Sequence, residues 1–266
     1  MNTLQDQHFA VTGVATGIGA ELARQLLAAG ARVTGFDVTP PEGDAFPCHR
    51  IDLANLAAIA TAVAQAHGPF TGLCNNAGLS PRPGRESLIL TVNFFAQRDF
   101  TRAMFPKLAA GASIVNIASR AGARWRDNIE QVKRLFAINP AKDLDAFIRD
   151  EKIDHVRAYN LSKEALIVWS IAETEAMTAR EMRINALCPA AVATGLLDDF
   201  AKAFGEQMAK NVARAGRPGK PEEIATIAAF LLSPASNWLR GAEISPDGGM
   251  GAFAISDALN LSGLRL

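Results

Sequence analysis

Thr12-Gly13-Val14-Ala15-Thr16-Gly17-Ile18-Gly19 decides how this chain is read. An apolar, strand-like run, Phe9-Ala10-Val11, precedes it. A helix-like run, Ala20 to Ala29, follows and is closed by Gly30. Strand, glycine turn and helix in that order are the context a dinucleotide-binding fingerprint requires, although the spacing is not Gly-x-Gly-x-x-Gly. Gly13 permits the tight turn, Gly17 lets a pyrophosphate approach the backbone at the helix N-terminus, and Gly19 allows close helix–strand packing. The turn residues assigned to the dinucleotide are Gly13, Thr16, Gly17, Ile18 and Gly19. A second strand-like run, Ala31 to Phe36, ends at Asp37, about 20 residues past the glycines, where an acid accepts hydrogen bonds from the adenosine ribose. No Lys or Arg stands in Val14-Ala15-Thr16 or Val38-Thr39 to receive a 2′-phosphate, so the sequence predicts NAD rather than NADP.

Further along, Tyr159-Asn160-Leu161-Ser162-Lys163 holds the only tyrosine of the chain. The spacing puts phenol and ammonium one turn apart on one helix face. A lysine so placed is expected to lower the phenol pKa and let it trade a proton with an alcohol or carbonyl near neutral pH. Taken alone, such a pair is as readily a half-buried tyrosine beside a surface lysine. The glycine turn in the same chain favours the chemical reading.

The rest of the sequence bounds the class. The chain has 266 residues, with 27 basic and 27 acidic side chains. Zero net charge gives no reason to expect nucleic acid or an anionic membrane surface as a partner. Met1 to Gln7 lacks a basic start and a long apolar run, and no uncharged apolar stretch approaches a membrane-spanning length. Cys48, Cys74 and Cys188 are few and scattered, which fits a reducing cytoplasm. His8, His49, His67 and His155 have no metal spacing with them, so no metal is expected.

Strand and helix patterns alternate, as a doubly wound parallel α/β sheet demands. Strands are expected around Phe46–Ile51, Gly72–Cys74, Ser113–Ala118, Arg183–Leu187 and Gly241–Ser245. Helices are expected over about Leu53–His67 and Ser87–Leu108, and from Pro221, whose missing N–H is harmless in a first turn. No repeat or linker divides residues 1–266, which read as a single domain.

At this point the chain resembles the short-chain dehydrogenase/reductase family over nearly its whole length, and the resemblance implies a single Rossmann-like domain. The glycine turn resembles Thr-Gly-x-x-x-Gly-x-Gly. Asp52-Leu53 resembles the segment whose acid meets the adenine. Asn75-Asn76-Ala77-Gly78 resembles the Asn-Asn-Ala-Gly segment that lines the cofactor. Asn93 matches the helix asparagine that holds a relay water, Ser119 the catalytic serine, and Tyr159 and Lys163 the catalytic pair. Pro189 to Thr194, with Val192 between, resembles Pro-Gly-x-Val-x-Thr, which meets the nicotinamide carboxamide. Asp247-Gly248-Gly249 resembles the family's C-terminal Asp-Gly-Gly. In isolation Ser119 is equally a strand-end serine bonded to backbone, and Asn93 a residue that caps or bends its helix.

Two departures stand out. Ser119 and Tyr159 are 40 positions apart, far more than is common in the family, and the extra segment of about 124–157 reads as two inserted helices broken near Asn139-Pro140. The stretch from Asn75 to Asn93 is short. Both features, with Lys163 to Ser170, resemble the subgroup of 3α-hydroxysteroid and coniferyl alcohol dehydrogenases. Ala190 also replaces the glycine of Pro-Gly, where a positive φ would be costly for alanine.

The resemblance implies an NAD-dependent enzyme that interconverts a hydrophobic secondary or allylic alcohol and its carbonyl, assembled as a dimer or tetramer. The pocket is expected to be walled by Leu79, Pro81, Ala121, Trp125, Leu196, Leu197, Phe200 and Phe204, with Leu196–Phe204 as a helical lid. Arg120 and Arg124 are read as solvated rather than anion-binding. The other readings are an NADP-using carbonyl or 3-oxoacyl reductase, which Asp37 disfavours, and a nucleotide-sensing protein without catalysis, which would not need Ser119, Tyr159 and Lys163 together.

Overall fold

The computed structural model describes residues 4–43 and 45–264. Met1 to Thr3 of the N-terminal stretch read above lie outside the described residues. Among the described residues seven strands form one parallel sheet: β1 His8–Thr12, β2 Arg32–Asp37, β3 Cys48–Arg50, β4 Phe70–Asn75, β5 Leu108–Ile117, β6 Arg183–Leu187 and β7 Glu243–Ile244. Their order is β3-β2-β1-β4-β5-β6-β7. The direction of winding reverses between β1 and β4, so a crevice opens beyond their C-terminal ends. The glycine turn leaves β1 there, and Asn75-Asn76 leaves β4 there.

The α-helices among the described residues are α1 Gly17–Ala28, α2 Ala58–Gln65, α3 Glu86–Leu90, α4 Ala96–Met104, α5 Ile129–Ala137, α6 Pro140–Asp150, α7 His155–Ala172, α8 Thr174–Thr178, α9 Leu197–Ala215, α10 Pro221–Leu232 and α11 Met250–Ala258. Both sheet faces are buried, which is why β1 and β6 have no exposed position. On one face Phe9, Val11, Leu22, Leu26 and Leu231 close the core. On the other, Leu73, Ile114, Phe100, Leu166 and Trp169 do so.

Several boundaries differ from the sequence reading. The helix expected from Leu53 begins at Ala58, because Asp52 turns the chain first: its carboxylate accepts the Ala54 N–H at 2.9 Å. The expected long helix from Ser87 is α3, a π-helical turn Thr91–Phe95, then α4, and it stops at Met104 before a 3₁₀ turn containing Pro106. β5 starts at Leu108, five residues earlier than expected. The inserted segment is a helix pair, α5 and α6, parted at Asn139-Pro140. Asn139 caps α6 by accepting the Ala141 N–H, and Pro140 occupies its first turn.

Candidate active site

The glycine turn and the Asn-Asn-Ala-Gly segment are built as one piece. Thr12 Oγ1 accepts the N–H groups of Asn76 and Ala77, each at 3.0 Å. The Asn76 carboxamide donates to the carbonyls of Thr12 and Gly13. Gly13 has φ +71°, and a Cβ there would lie 2.8 Å from the Ala77 Cα, so both its backbone conformation and its closeness exclude a side chain. Gly19 packs so tightly on the Gly13 carbonyl that a side chain has no room. The first turn of α1 has no acidic residue, and Thr16 makes no side-chain cap, so the amides and positive end of this helix are left for a ligand.

A cleft of about 1220 Å³ runs from this turn across the ends of β1, β4 and β5. It exceeds the roughly 300–1,000 Å³ of a typical drug-sized pocket, and so has room for a dinucleotide and a further molecule. One end is lined by Asp37, Asp52 and Leu53, the middle by Gly13, Thr16, Gly17, Ile18, Asn76, Ala77, Gly78, Pro189, Val192 and Thr194, and the far end by Ser119, Tyr159 and Lys163. Of the residues assigned to the dinucleotide from the sequence, all but Gly19 line this one cleft; Gly19 packs instead beneath the turn, against Gly13 and Asn76. Asp37 Oδ2 accepts the Ala15 N–H at 2.9 Å and Oδ1 the Thr39 N–H at 3.0 Å. A carboxylate has about four lone-pair sites, which leaves acceptor capacity for ribose hydroxyls. Ala190 is not among the residues with positive φ, so alanine is accommodated there without strain.

At the far end, Tyr159 and Lys163 share the inner face of α7 and are only 6% and 5% exposed. The Tyr159 phenol lies beside Ser119, which acts to lower its pKa. Lys163 Nζ donates to the Ile117 carbonyl at 2.9 Å and lies 5.8 Å from the centre of the Tyr159 ring. Ser119 Oγ also accepts the Ala121 N–H at 3.1 Å, which fixes the strand-end turn.

The expected lowering of the phenol pKa does not occur. Burial pushes Tyr159 up to about 12, against the opposing effect of Ser119, and pushes Lys163 down to about 8. The reason is steric enclosure: Phe200 and Phe204 of α9 cover the phenol, with ring centres 5.2 and 6.2 Å away.

Asn93 lies in the π-helical turn, and its carboxamide brackets residue 79, accepting the Leu79 N–H at 2.7 Å and donating to the Leu79 carbonyl at 3.0 Å. Its Oδ1 and Lys163 Nζ are the two nearest side-chain polar atoms to the open side of Gly78.

Of the expected wall, Leu79, Ala121, Leu196, Phe200 and Phe204 line the cleft, whereas Pro81, Trp125 and Leu197 do not. Trp125 instead donates its indole N–H to Glu243 at 3.1 Å. Sequence reading missed Val92, Gln207, Met208, Asn211, Val212, Met250 and Ala254, which complete the wall. The spacing 200, 204, 208, 212 is a helix face, and was a signal that α9 continues past Phe204. Helix α9 breaks at Gly205, where φ is +51° and ψ −135°, and none of its residues is fully buried. Asp199, before the break, accepts hydrogen bonds from Ser80 at 2.7 Å and Arg82 at 2.8 Å and so ties this helix to the loop after β4.

Of the inserted pair, α5 packs on α7 and α6 on α3, and neither lines the cleft. Glu164, 1% exposed, accepts two hydrogen bonds from Arg157 and one from Asn128 at 2.7 Å, just before α5. Among the described residues no group of His, Cys, Asp or Glu is arranged to hold a metal ion, and no helix is long and apolar enough to cross a membrane.

Comparison with known proteins agrees with this geometry. Residues 7–129 match the family model for short chain dehydrogenases, and residues 145–251 match one described as enoyl-(acyl carrier protein) reductase. A coniferyl-alcohol dehydrogenase from Pseudomonas sp. strain HR199 is 32% identical over 249 residues, covering 93% of this chain and 97% of that protein. A 3-alpha-hydroxysteroid dehydrogenase/carbonyl reductase from Comamonas testosteroni is 33% identical over 251 residues, covering 91% of this chain and 95% of that protein. The crystal structure of the 3-alpha-hydroxysteroid dehydrogenase from Pseudomonas sp. B-0831, complexed with NADH, superposes with a TM-score of 0.81 at 28% identity, covering 93% of this chain and 98% of that one. With the winding reversal, the glycine turn and the Ser119, Tyr159 and Lys163 cluster already in one cleft, these likenesses establish that the chain belongs to the short-chain dehydrogenase/reductase family of oxidoreductases.

Proposed function

We propose that this protein is an NAD-dependent alcohol dehydrogenase acting on a hydrophobic, ring-bearing secondary or allylic alcohol and its carbonyl. The observation that carries the reading is Ser119 and Tyr159 brought together with the buried Lys163 in one cleft that also presents Asp37.

The free α1 N-terminus fits a pyrophosphate, and Asp37 and Asp52 fit the adenosine end. Pro189, Val192 and Thr194 line the side on which a nicotinamide would rest. Bound there, NAD supplies the hydride acceptor.

Tyr159 is the acid/base. With its phenol near 12 it is protonated at neutral pH, so the site is set to donate a proton to a carbonyl oxygen. In the oxidative direction the phenol must first give up that proton, and the ammonium of Lys163, charged below about pH 8, favours the phenolate. Ser119 holds the substrate oxygen beside the phenol. Asn93 holds the water that connects Lys163 to solvent, in keeping with the shared opening at Gly78.

The substrate end is apolar: Phe200, Phe204, Met208, Val212 and Met250 face it. Such a wall favours a flat or fused-ring skeleton. The relatives named for coniferyl alcohol and for 3-alpha-hydroxysteroids support an aryl-propenyl alcohol first and a steroid second. The part of α9 before Gly205 acts as a lid that excludes water when Phe200 and Phe204 close over Tyr159.

The test is reduction of NAD, followed by nicotinamide absorbance, with coniferyl alcohol, a 3α-hydroxysteroid, a short aliphatic secondary alcohol and a sugar alcohol. A ring-bearing alcohol is expected to give the highest kcat/KM. A clear win for the sugar alcohol would refute the apolar-pocket reading.

A further inference from the structure

The cations that line the cleft are Lys163, engaged with Ile117 and assigned to Tyr159, and Arg120, the residue after Ser119. Arg120 is not free. Its Nε lies 3.2 Å from Asp247 Oδ2, and the Asp247 side chain is only 9% exposed. The same carboxylate accepts the N–H of Gly249 through Oδ1 at 2.9 Å and that of Gly251 through Oδ2 at 2.8 Å, so it is also anchored to the first turn of α11. A Cβ on Gly251 would lie 2.9 Å from Arg120 Nη1 and 2.9 Å from Asp247 Oδ2, so the guanidinium rests directly on that turn.

Helix α11 is the wall behind this pair, through Met250 and Ala254. Its other end is fixed to α9 by a two-pronged ion pair, Arg214 to Asp257. Asp247 thus has a fixed position, and the charge it offers to Arg120 does not depend on a mobile side chain.

An arginine at the mouth of a reductase site would select a carboxylate or phosphate on the substrate, because a guanidinium presents a fork of donors that matches such groups. An arginine already held by a fixed carboxylate offers no net charge. A second anion placed there would meet Asp247 at close range, and burying it without a partner is costly.

We infer that Asp247 sets the substrate class by occupying Arg120, so that the cleft admits uncharged ring-bearing alcohols and rejects those that carry an anionic group at the α11 end. This rests on the function proposed above and narrows it.

The experiment compares cinnamyl alcohol with the same alcohol carrying a ring carboxylate, on the wild type and on Asp247→Asn, Arg120→Gln and the double variant. The wild type should favour the neutral alcohol by at least roughly tenfold in kcat/KM, within the range a pocket achieves by contact differences. Asp247→Asn leaves a charged arginine without a counter-charge and should narrow that ratio at least roughly tenfold. The double variant removes the freed arginine and should restore discrimination. Damage to α11 alone would not be undone by a second substitution.

Arg120→Gln leaves the carboxylate unpaired and should widen the ratio. That variant keeps the backbone contacts of Asp247 and is informative even if Asp247→Asn does not fold. A wild type that prefers the carboxylate, an Asp247→Asn ratio equal to the wild-type ratio, or an Arg120→Gln ratio that narrows would each overturn the inference. If neither alcohol reacts with any variant while a sugar alcohol does, the function proposed above fails instead.

Discussion

Lys163 carries its charge at the expense of stability, and its replacement by a neutral chain of similar length measures how much. Lys163 is 5% exposed, and its ammonium donates to the Ile117 carbonyl at 2.9 Å. Burial lowers its pKa from 10.5 to about 8. Between those values the unfolded chain holds a proton that the folded chain does not, so folding stability rises with pH across that window and falls as pH drops through it. At 1.36 kcal/mol per pKa unit the change is about 3 kcal/mol.

Lys163→Met abolishes this dependence. It also leaves the Ile117 carbonyl without that donor, a loss of about 1–2 kcal/mol. The variant should therefore be more stable than the wild type at pH 7 by about 1–2 kcal/mol, and less stable by a similar amount at pH 10.5. The raised pKa of Tyr159 removes stability as pH rises from 10 towards 12, so the comparison stops at pH 10.5, where most of that change has yet to occur. Urea unfolding followed by circular dichroism at several pH values from 7 to 10.5 gives the curve. A difference between the two proteins that does not change with pH would mean that the ammonium is solvated and that the enclosed site described here is wrong.

Three further outcomes are expected. Wild type should prefer NAD to NADP by at least roughly tenfold in kcat/KM, because Asp37 would face a 2′-phosphate at close range; Asp37→Ala should narrow this, and equal efficiency of the wild type with both cofactors would refute the assignment. Gly122→Ala would set a methyl group 2.8 Å from the Lys163 carbonyl carbon and from Ile167 Cδ1. It should cost about 1–3 kcal/mol in thermal or urea unfolding and lower kcat by moving the catalytic helix. Light scattering at micromolar concentration should show a homo-oligomer, since Phe230 on α10 and Trp238 after it are 45% and 91% exposed; a monomer would refute that.

What the sequence made legible is what local backbone chemistry dictates. The glycine turn could be placed because its glycines answer to a tight turn and close packing, both present at Gly13 and Gly19. β6 was bounded at Arg183 and Leu187, and the inserted helices were parted at Asn139-Pro140, since proline and a capping asparagine act within a few residues. What failed depends on distant parts of the chain. The i, i+4 spacing of Tyr159 and Lys163 is real, but the phenol's ionisation is ruled by Phe200 and Phe204, some forty residues on. Trp125 was placed in the pocket for its nearness to Ser119 in sequence, yet its indole points to Glu243 on β7. Met250 and Ala254 give no local sign that α11 closes the cleft.

The central claim is that Tyr159 transfers the proton. Tyr159→Phe removes one oxygen and leaves the ring that packs against Phe200 and Phe204. NAD affinity, measured by calorimetry, should stay within about twofold, while kcat for the best alcohol should fall by at least roughly a hundredfold, in the range of general acid–base catalysis. Turnover by Tyr159→Phe close to that of the wild type, with NAD binding intact, would contradict the account.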